Sequence, residues 1–159
     1  MNPSTELRLN TMIRGLSEMV IPAIDPKNSL AQEQAQLILG HLHAMVAQSG
    51  RERDLNRIEL EEQKTLAQDL LAAAVGGPDT QAAAEALEAA IKTEQKVQIA
   101  NAIENLLRST DASEDFKALS HQKVMAYSDE SLLRSRSWFA TMKFDSAPQE
   151  LLAIESLFS

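Results

Sequence analysis

Apolar residues recur at three- and four-residue spacings along almost the whole chain, and no stretch alternates with the period of two that a half-buried strand requires. A chain patterned this way must bury helix stripes against helix stripes. It has 159 residues, 44% of them hydrophobic, and only 5 Gly and 5 Pro. That is enough apolar surface for a core and too few turn-formers for a loop-rich β domain. The pattern predicts an all-α fold over a single domain, 1–159. Its expected form is an antiparallel helical bundle of about four principal helices, with short aromatic-rich helices at the C-terminal end.

The first stripe is Leu9, Met12, Ile13, Leu16, Met19 and Val20. Ser4 is placed to cap it, and Pro22 to end it or kink its last turn. Asp25-Pro26-Lys27-Asn28 reads as a turn. Asn28 or Ser29 then caps a second stripe, Leu30, Leu37, Ile38, Leu42, Met45 and Val46. This stripe thins where Arg51, Arg53, Asp54 and Arg57 crowd beside Gly50, and resumes at Leu55, Ile58, Leu66 and Leu70. Two readings compete: one helix over about 28–74, or two helices joined near Ser49-Gly50. A lone glycine costs only ~1 kcal/mol in a helix and no proline intervenes, so continuity, with a bend at Gly50, is the favoured expectation. A helix of ~47 residues is ~70 Å long, longer than a domain of this size is wide. Its overhang makes Leu55, Ile58 and Leu66 a candidate dimer face.

Val75-Gly76-Gly77-Pro78-Asp79 is the clearest break in the chain, with Asp79 or Thr80 expected to cap the next helix. That helix carries Ala83, Leu87, Ile91, Val97, Ile103 and Leu107 to about Ser109. Its surface pairs Glu88 with Lys92 and Glu104 with Arg108 at four-residue spacing. All six aromatics fall at Phe116 or later. There the expected helices are short, about 113–126, 129–142 and 147–157. Ser128 would cap the second, and Ser146-Ala147-Pro148-Gln149 would start the third. The chain thus divides by composition into long aliphatic helices, 1–110, and short aromatic-containing ones, 111–159.

Several chemistries drop out at once. With no cysteine there is no disulfide, thiolate nucleophile, Cys-ligated zinc or iron–sulfur cluster. The 23 acidic residues against 15 basic give a net charge of −8, which argues against nucleic acid and anionic membrane surfaces as partners. No apolar run approaches the roughly 20 residues of a membrane span. The start, Met1-Asn2-Pro3-Ser4-Thr5-Glu6, lacks a signal-peptide layout, so the cytoplasm is the expected compartment. His41 and His43, two apart, point about 200° from each other on a helix, and no Glu-x-x-His pair exists. They read as ordinary packed or solvated side chains, and no metal or cofactor is expected. Glu59, Glu61, Glu62 and Asp69, set among Arg57 and Lys64, read as a solvated ion-paired face. There is no Gly-x-Ser-x-Gly and no phosphate-binding loop.

The most distinctive segment is Arg134-Ser135-Arg136-Ser137-Trp138-Phe139, with Lys143 and Phe144 beyond. Trp and Arg dominate binding hot spots, and an arginine pair suits a carboxylate or phosphate. Arg134, Arg136, Trp138, Phe139 and Lys143 are therefore the candidate interaction residues. The competing reading is a core tryptophan with arginine stems packed over it.

In composition the chain resembles small, acidic, cysteine-free helical proteins of bacteria. The expected function is non-catalytic: a protein–protein interaction or accessory subunit, working as a homodimer or docked on another protein. The alternative is a bundle holding an apolar or acyl-type molecule among Met12, Met19, Met45 and leucines. A third reading, an enzyme subunit, would need carboxylates and arginines gathered by the fold.

Overall fold

A computed structural model describes residues 2–158. The protein is all-α: 78% of it is helical, with no strand among the described residues. The local rules that start helices hold well at the N-terminal end. Helix α1 (Thr5–Gly15) is capped by Ser4, whose hydroxyl accepts the Leu7 N–H at 3.1 Å. It continues through a π-helical turn, Leu16–Val20, into α2 (Ile21–Ala23), where Pro22 sits in the first turn. The helix stops one residue later, where Ile24 turns extended, so Pro22 lies in its last turn. The widened turn ahead of it relieves the clash and the missing donor that a proline brings to an α-helical ladder. Asn28 caps α3 (Ser29–Gln48) by accepting the Ala31 N–H at 3.1 Å.

The expected 28–74 helix is two helices. Ser49 is extended, Gly50 takes a positive φ of 80°, and α4 runs Glu52–Ala73. A glycine tolerated inside a helix is also the residue that ends one at least strain, by adopting the left-handed conformation. The crowded charges after Gly50 fill the first turn of a new helix.

By its contacts the chain divides into two compact units. One is Met1–Arg53 with Leu133–Ser159, and the other is Asp54–Leu132. The second holds the main core. Leu66, Ala67 and Leu70 of α4, Leu87 of α5 (Pro78–Ile91), and Ile99, Ala102, Ile103 and Leu106 of α6 (Lys96–Leu107) are buried together, with Phe116 of α7 (Glu114–Trp138). The single helix expected over 79–109 is the α5–α6 pair. Thr93 donates its hydroxyl to Ala90 O at 2.7 Å and accepts the Gln95 N–H at 3.2 Å, and Glu94 takes a φ of 55°. A side chain that competes this way for backbone partners terminates the helix without Gly or Pro. Glu88–Lys92 and Glu104–Arg108 do pair, at 2.9 and 2.6 Å.

The break at Gly76-Gly77 is present, but neither Asp79 nor Thr80 caps α5 with its own side chain. The N-cap is Gly77, and the carboxylate of Asp111, more than thirty residues on, accepts the N–H groups of Asp79 and Thr80, both at 2.9 Å. Asp79 reciprocates by accepting the Thr110 N–H at 2.8 Å. Backbone bonds from Gly77 N–H to Asp111 O and from Ser113 N–H to Val75 O close the same junction. These contacts cross-tie the start of α5 to the end of α6.

The aromatic region also differs from expectation. Ser113 accepts the Phe116 N–H at 3.2 Å, and α7 then runs unbroken for 25 residues, with Ser128 inside it rather than at a cap. Short 3-10 turns come after it at Ala140–Met142, Pro148–Glu150 and Ile154–Phe158 in place of longer helices. In the first unit, α3 packs on α1 and on the Ala140–Met142 turn. No helix among the described residues is long and apolar enough to cross a membrane.

Candidate functional site

The arginine–tryptophan segment serves two purposes, divided residue by residue. Arg134 and Trp138 are buried. Trp138 meets Phe158 edge-on, with ring centroids 6.3 Å apart, and its carbonyl accepts Gln48 Nε2 at 2.9 Å. Arg51 adds its guanidinium over the Phe158 ring at 5.9 Å and an ion pair to Glu155 at 3.1 Å. Ser137 is buried and accepts the Leu152 N–H at 3.0 Å. Arg136 holds Asp145 through Nε at 2.9 Å and an Nη at 2.8 Å, and reaches Glu150 at 3.1 Å. That bidentate grip, helped by the Ala147 N–H, brings the Asp145 carboxyl down to about 2, and the two carboxylates raise Arg136 further above its ordinary value. The fork that an external carboxylate or phosphate would use is filled from within. These residues bind the C-terminal segment of their own chain. Phe139, Lys143 and Phe144 are instead exposed, and Lys143 has a positive φ of 61°.

The proposed dimer-face residues are placed differently. Leu66 lies in the core of the second unit, and Leu55 and Ile58 are half-buried on the first turns of α4. With the helix broken at Gly50, the overhang that argued for a partner along α4 does not exist. Leu66 in particular is not available to one.

The acidic run is ion-paired. Glu59 meets Lys96 at 2.5 Å, Glu61 meets Lys64 at 3.1 Å, and Asp69 meets Lys123 at 2.8 Å. The Glu61 carboxylate raises the Lys64 ammonium above its ordinary value. His41, His43 and His121 are all exposed, and among the described residues no three His, Cys, Asp or Glu side chains are grouped to hold a metal ion. Met12, Met19 and Met45 point to solvent rather than into a tunnel. A hollow of about 370 Å³ lined by Asn10, Ile13, His43, Val46 and Lys143 is open, not enclosed.

What remains is a surface that the apolar stripes alone do not reveal. Helix α3 carries one charged side chain, Glu33, in twenty residues. Its other polar residues, Ser29, Gln32, Gln34, Gln36, His41, His43 and Gln48, are neutral, so it meets water with few charges. Only Ala35 and Ala44 of it are buried, and Leu30, Ile38 and Met45 are exposed. The absence of charge between Gln34 and Gln48 is the signal in the sequence. A stripe of apolar positions hides it, because the apolar surface of such a helix is not confined to one face.

No family model matches this chain, and no curated protein or solved structure is significantly similar to it.

Proposed function

We propose that this protein is a non-catalytic interaction or accessory subunit acting in the cytoplasm, as a homo-oligomer or docked on another protein. The observation that carries the reading is α3, a nearly uncharged helix with two buried residues. Leu30, Ile38 and Met45 are exposed on it with no charged side chain after Glu33, and apolar surface rimmed by neutral residues suits contact with another chain. Among the described residues, Arg136 is taken up by Asp145 and Glu150 and the acidic run is paired with lysines, so neither group stands ready for a substrate. The outward-facing methionines favour a protein surface over an enclosed apolar ligand.

The test is photo-crosslinking in the living host. A photoreactive residue replaces Ile38, and another replaces the exposed Gln122 as control. A discrete crosslinked species from position 38 and none from position 122 is the expected result. No crosslink from position 38 would overturn the interaction reading.

A further inference from the structure

We propose that the groove between α1, α3 and the Ala140–Met142 turn takes an extended segment of another protein, one in which a single acidic side chain is flanked on the same face by two apolar ones. The proposal rests on the interaction reading above and names the chemistry of the partner.

The groove is two hollows that adjoin at the same three side chains. The first, of about 370 Å³, is walled by Ile13 of α1 and by Val46 and Ala47 of α3. The second, of about 240 Å³, is walled by Leu39, Met142 and Phe144. His43, Thr141 and Lys143 line both and are exposed. Gly40 lets the turn lie close against α3: a Cβ there would stand 3.4 Å from Phe144 Cε2 and 3.5 Å from Met142 O. All of these residues belong to one unit of the chain.

Charge sets what the junction accepts. Neither hollow is lined by a carboxylate, although the chain has 23 acidic residues against 15 basic. Other hollows do carry them: Glu62, Asp69 and Glu130 at one, Asp145 at another, Glu155 at a third. Lys64, Lys92, Lys96, Lys117 and Lys123 are each paired with a carboxylate of this chain. Lys143 has no such partner among the described residues, and Asn10, Gln36 and Thr141 add uncharged donors along the groove. A carboxylate brought here meets a free ammonium and displaces no internal ion pair. The net charge of −8 does not forbid it, because exposed charges more than about 8 Å apart are largely screened at physiological ionic strength.

Shape sets the kind of ligand. A small molecule is held where roughly 70–90% of its surface is buried, and both of these hollows are open. Two open hollows on either side of one cation suit the side chains of a segment laid across them. In an extended chain, residues i, i+2 and i+4 share a face. The fitting pattern is therefore an acidic residue with apolar residues two positions before and after it. One exposed ion pair and two partly covered apolar side chains give an isolated segment a dissociation constant on the order of millimolar.

Chemical-shift titration of the isotope-labelled full chain with the peptide acetyl-Leu-Ser-Glu-Ser-Leu-amide tests this, beside the same peptide with Gln or Lys in place of Glu. The wild type should shift at the amides around His43 and Lys143, and should bind the Glu peptide about twofold to fivefold more tightly than the Gln peptide. Lys143→Asn should bind those two alike. Asn adopts a φ of 61° more readily than Lys, so this variant should keep its fold. Lys143→Glu should reverse the order and prefer the Lys peptide. A wild type that does not discriminate Glu from Gln overturns the inference, and so does a Lys143→Asn variant that still does. Butyrate binding at the groove as tightly as the Glu peptide overturns it too, in favour of a small carboxylate. A crosslink from position 38 with no discrimination among the peptides overturns this inference and leaves the interaction reading standing. Failure of that crosslink overturns the interaction reading by itself.

Discussion

Replacing Thr80 by Val separates what the α5 N-terminus owes to packing from what it owes to hydrogen bonding. Thr80 is 1% exposed. Its hydroxyl lies 2.6 Å from Asp111 Oδ1 and 3.0 Å from Ser109 Oγ, and Ser109 in turn lies 2.8 Å from Leu106 O. A threonine has one hydroxyl proton, and the shorter, charge-assisted contact takes it. The Ser109 proton is then divided between Leu106 O and Thr80. Valine is β-branched and nearly isosteric, so helix propensity and backbone bonds stay as they are. A buried hydroxyl that donates to a charged acceptor contributes about 1.5–3 kcal/mol. The added methyl recovers up to ~0.8 kcal/mol. The net loss is about 1–2 kcal/mol, which for a chain of this length lowers Tm by roughly 2–8 °C. If Thr80 served packing alone, the same change would be neutral or stabilising, so the sign decides. Calorimetric melts at pH 7, with Thr80→Ser as the control that keeps the hydroxyl, make the measurement. A variant as stable as wild type refutes the cross-tie as described.

The pH dependence offers a second check on the same substitution. The Thr80 hydroxyl, then the N–H groups of Asp79 and Thr80, hold Asp111 below its ordinary value of 3.8. A carboxyl depressed in the folded state adds stability that is fully present above its unfolded value. That stability is lost as pH falls through the folded value. The difference between wild type and Thr80→Val should therefore be constant above pH 5 and shrink below about pH 4.

Gly76→Ala should destabilise sharply, because a Cβ there meets the Thr80 hydroxyl and sits 2.8 Å from Asp111 O, whereas Gly15→Ala, with nothing within 4 Å, should gain up to ~1 kcal/mol in chemical denaturation. Gly50→Ala has open space but a φ of 80°, so strain alone should cost about 1 kcal/mol in the same assay. Asp145→Asn should release the C-terminal segment, read as faster amide exchange over 147–158 with α5 and α6 unchanged. In the wild type that protection should persist at pH 4 and fall away as pH drops through about 2, where Asp145 takes up its proton.

Legibility tracks the range of the interaction. Ser4 and Asn28 cap helices three residues ahead of them, and both are readable because donor and acceptor are neighbours in sequence. Asp111 caps α5 from the far end of α6, and nothing local to Asp79 announces it. The α5–α6 turn is made by Thr93 and Glu94 without glycine or proline. Its one trace is the apolar gap between Ile91 and Val97. Ser128 satisfies the local rule for a cap, yet α7 runs through it. A capping residue is a permission to start a helix, and packing decides whether one starts. The role of Arg136 is also out of reach of the sequence, since Asp145 and Glu150 return to it only after the chain has turned.

The two units are nearly equal in length but not in burial. Among the described residues, Asp54–Leu132 buries ten hydrophobic residues to below a tenth of their surface, and the other unit buries five, two of them alanines of α3. The larger core belongs to helices whose outer faces are charged and ion-paired: Glu88 with Lys92 on α5, and Glu104 with Arg108 on α6. Those helices have somewhere to put their apolar stripe and something to offer water on the other side. Helix α3 has neither in full measure: it lacks the charge to be solvated all round and the neighbours to be covered all round. Both shortfalls fall on the same residues, Leu30, Ile38 and Met45. Exposed apolar side chains also stand elsewhere, Leu119, Met125 and Leu132 of α7 among them, but there they alternate with charged neighbours.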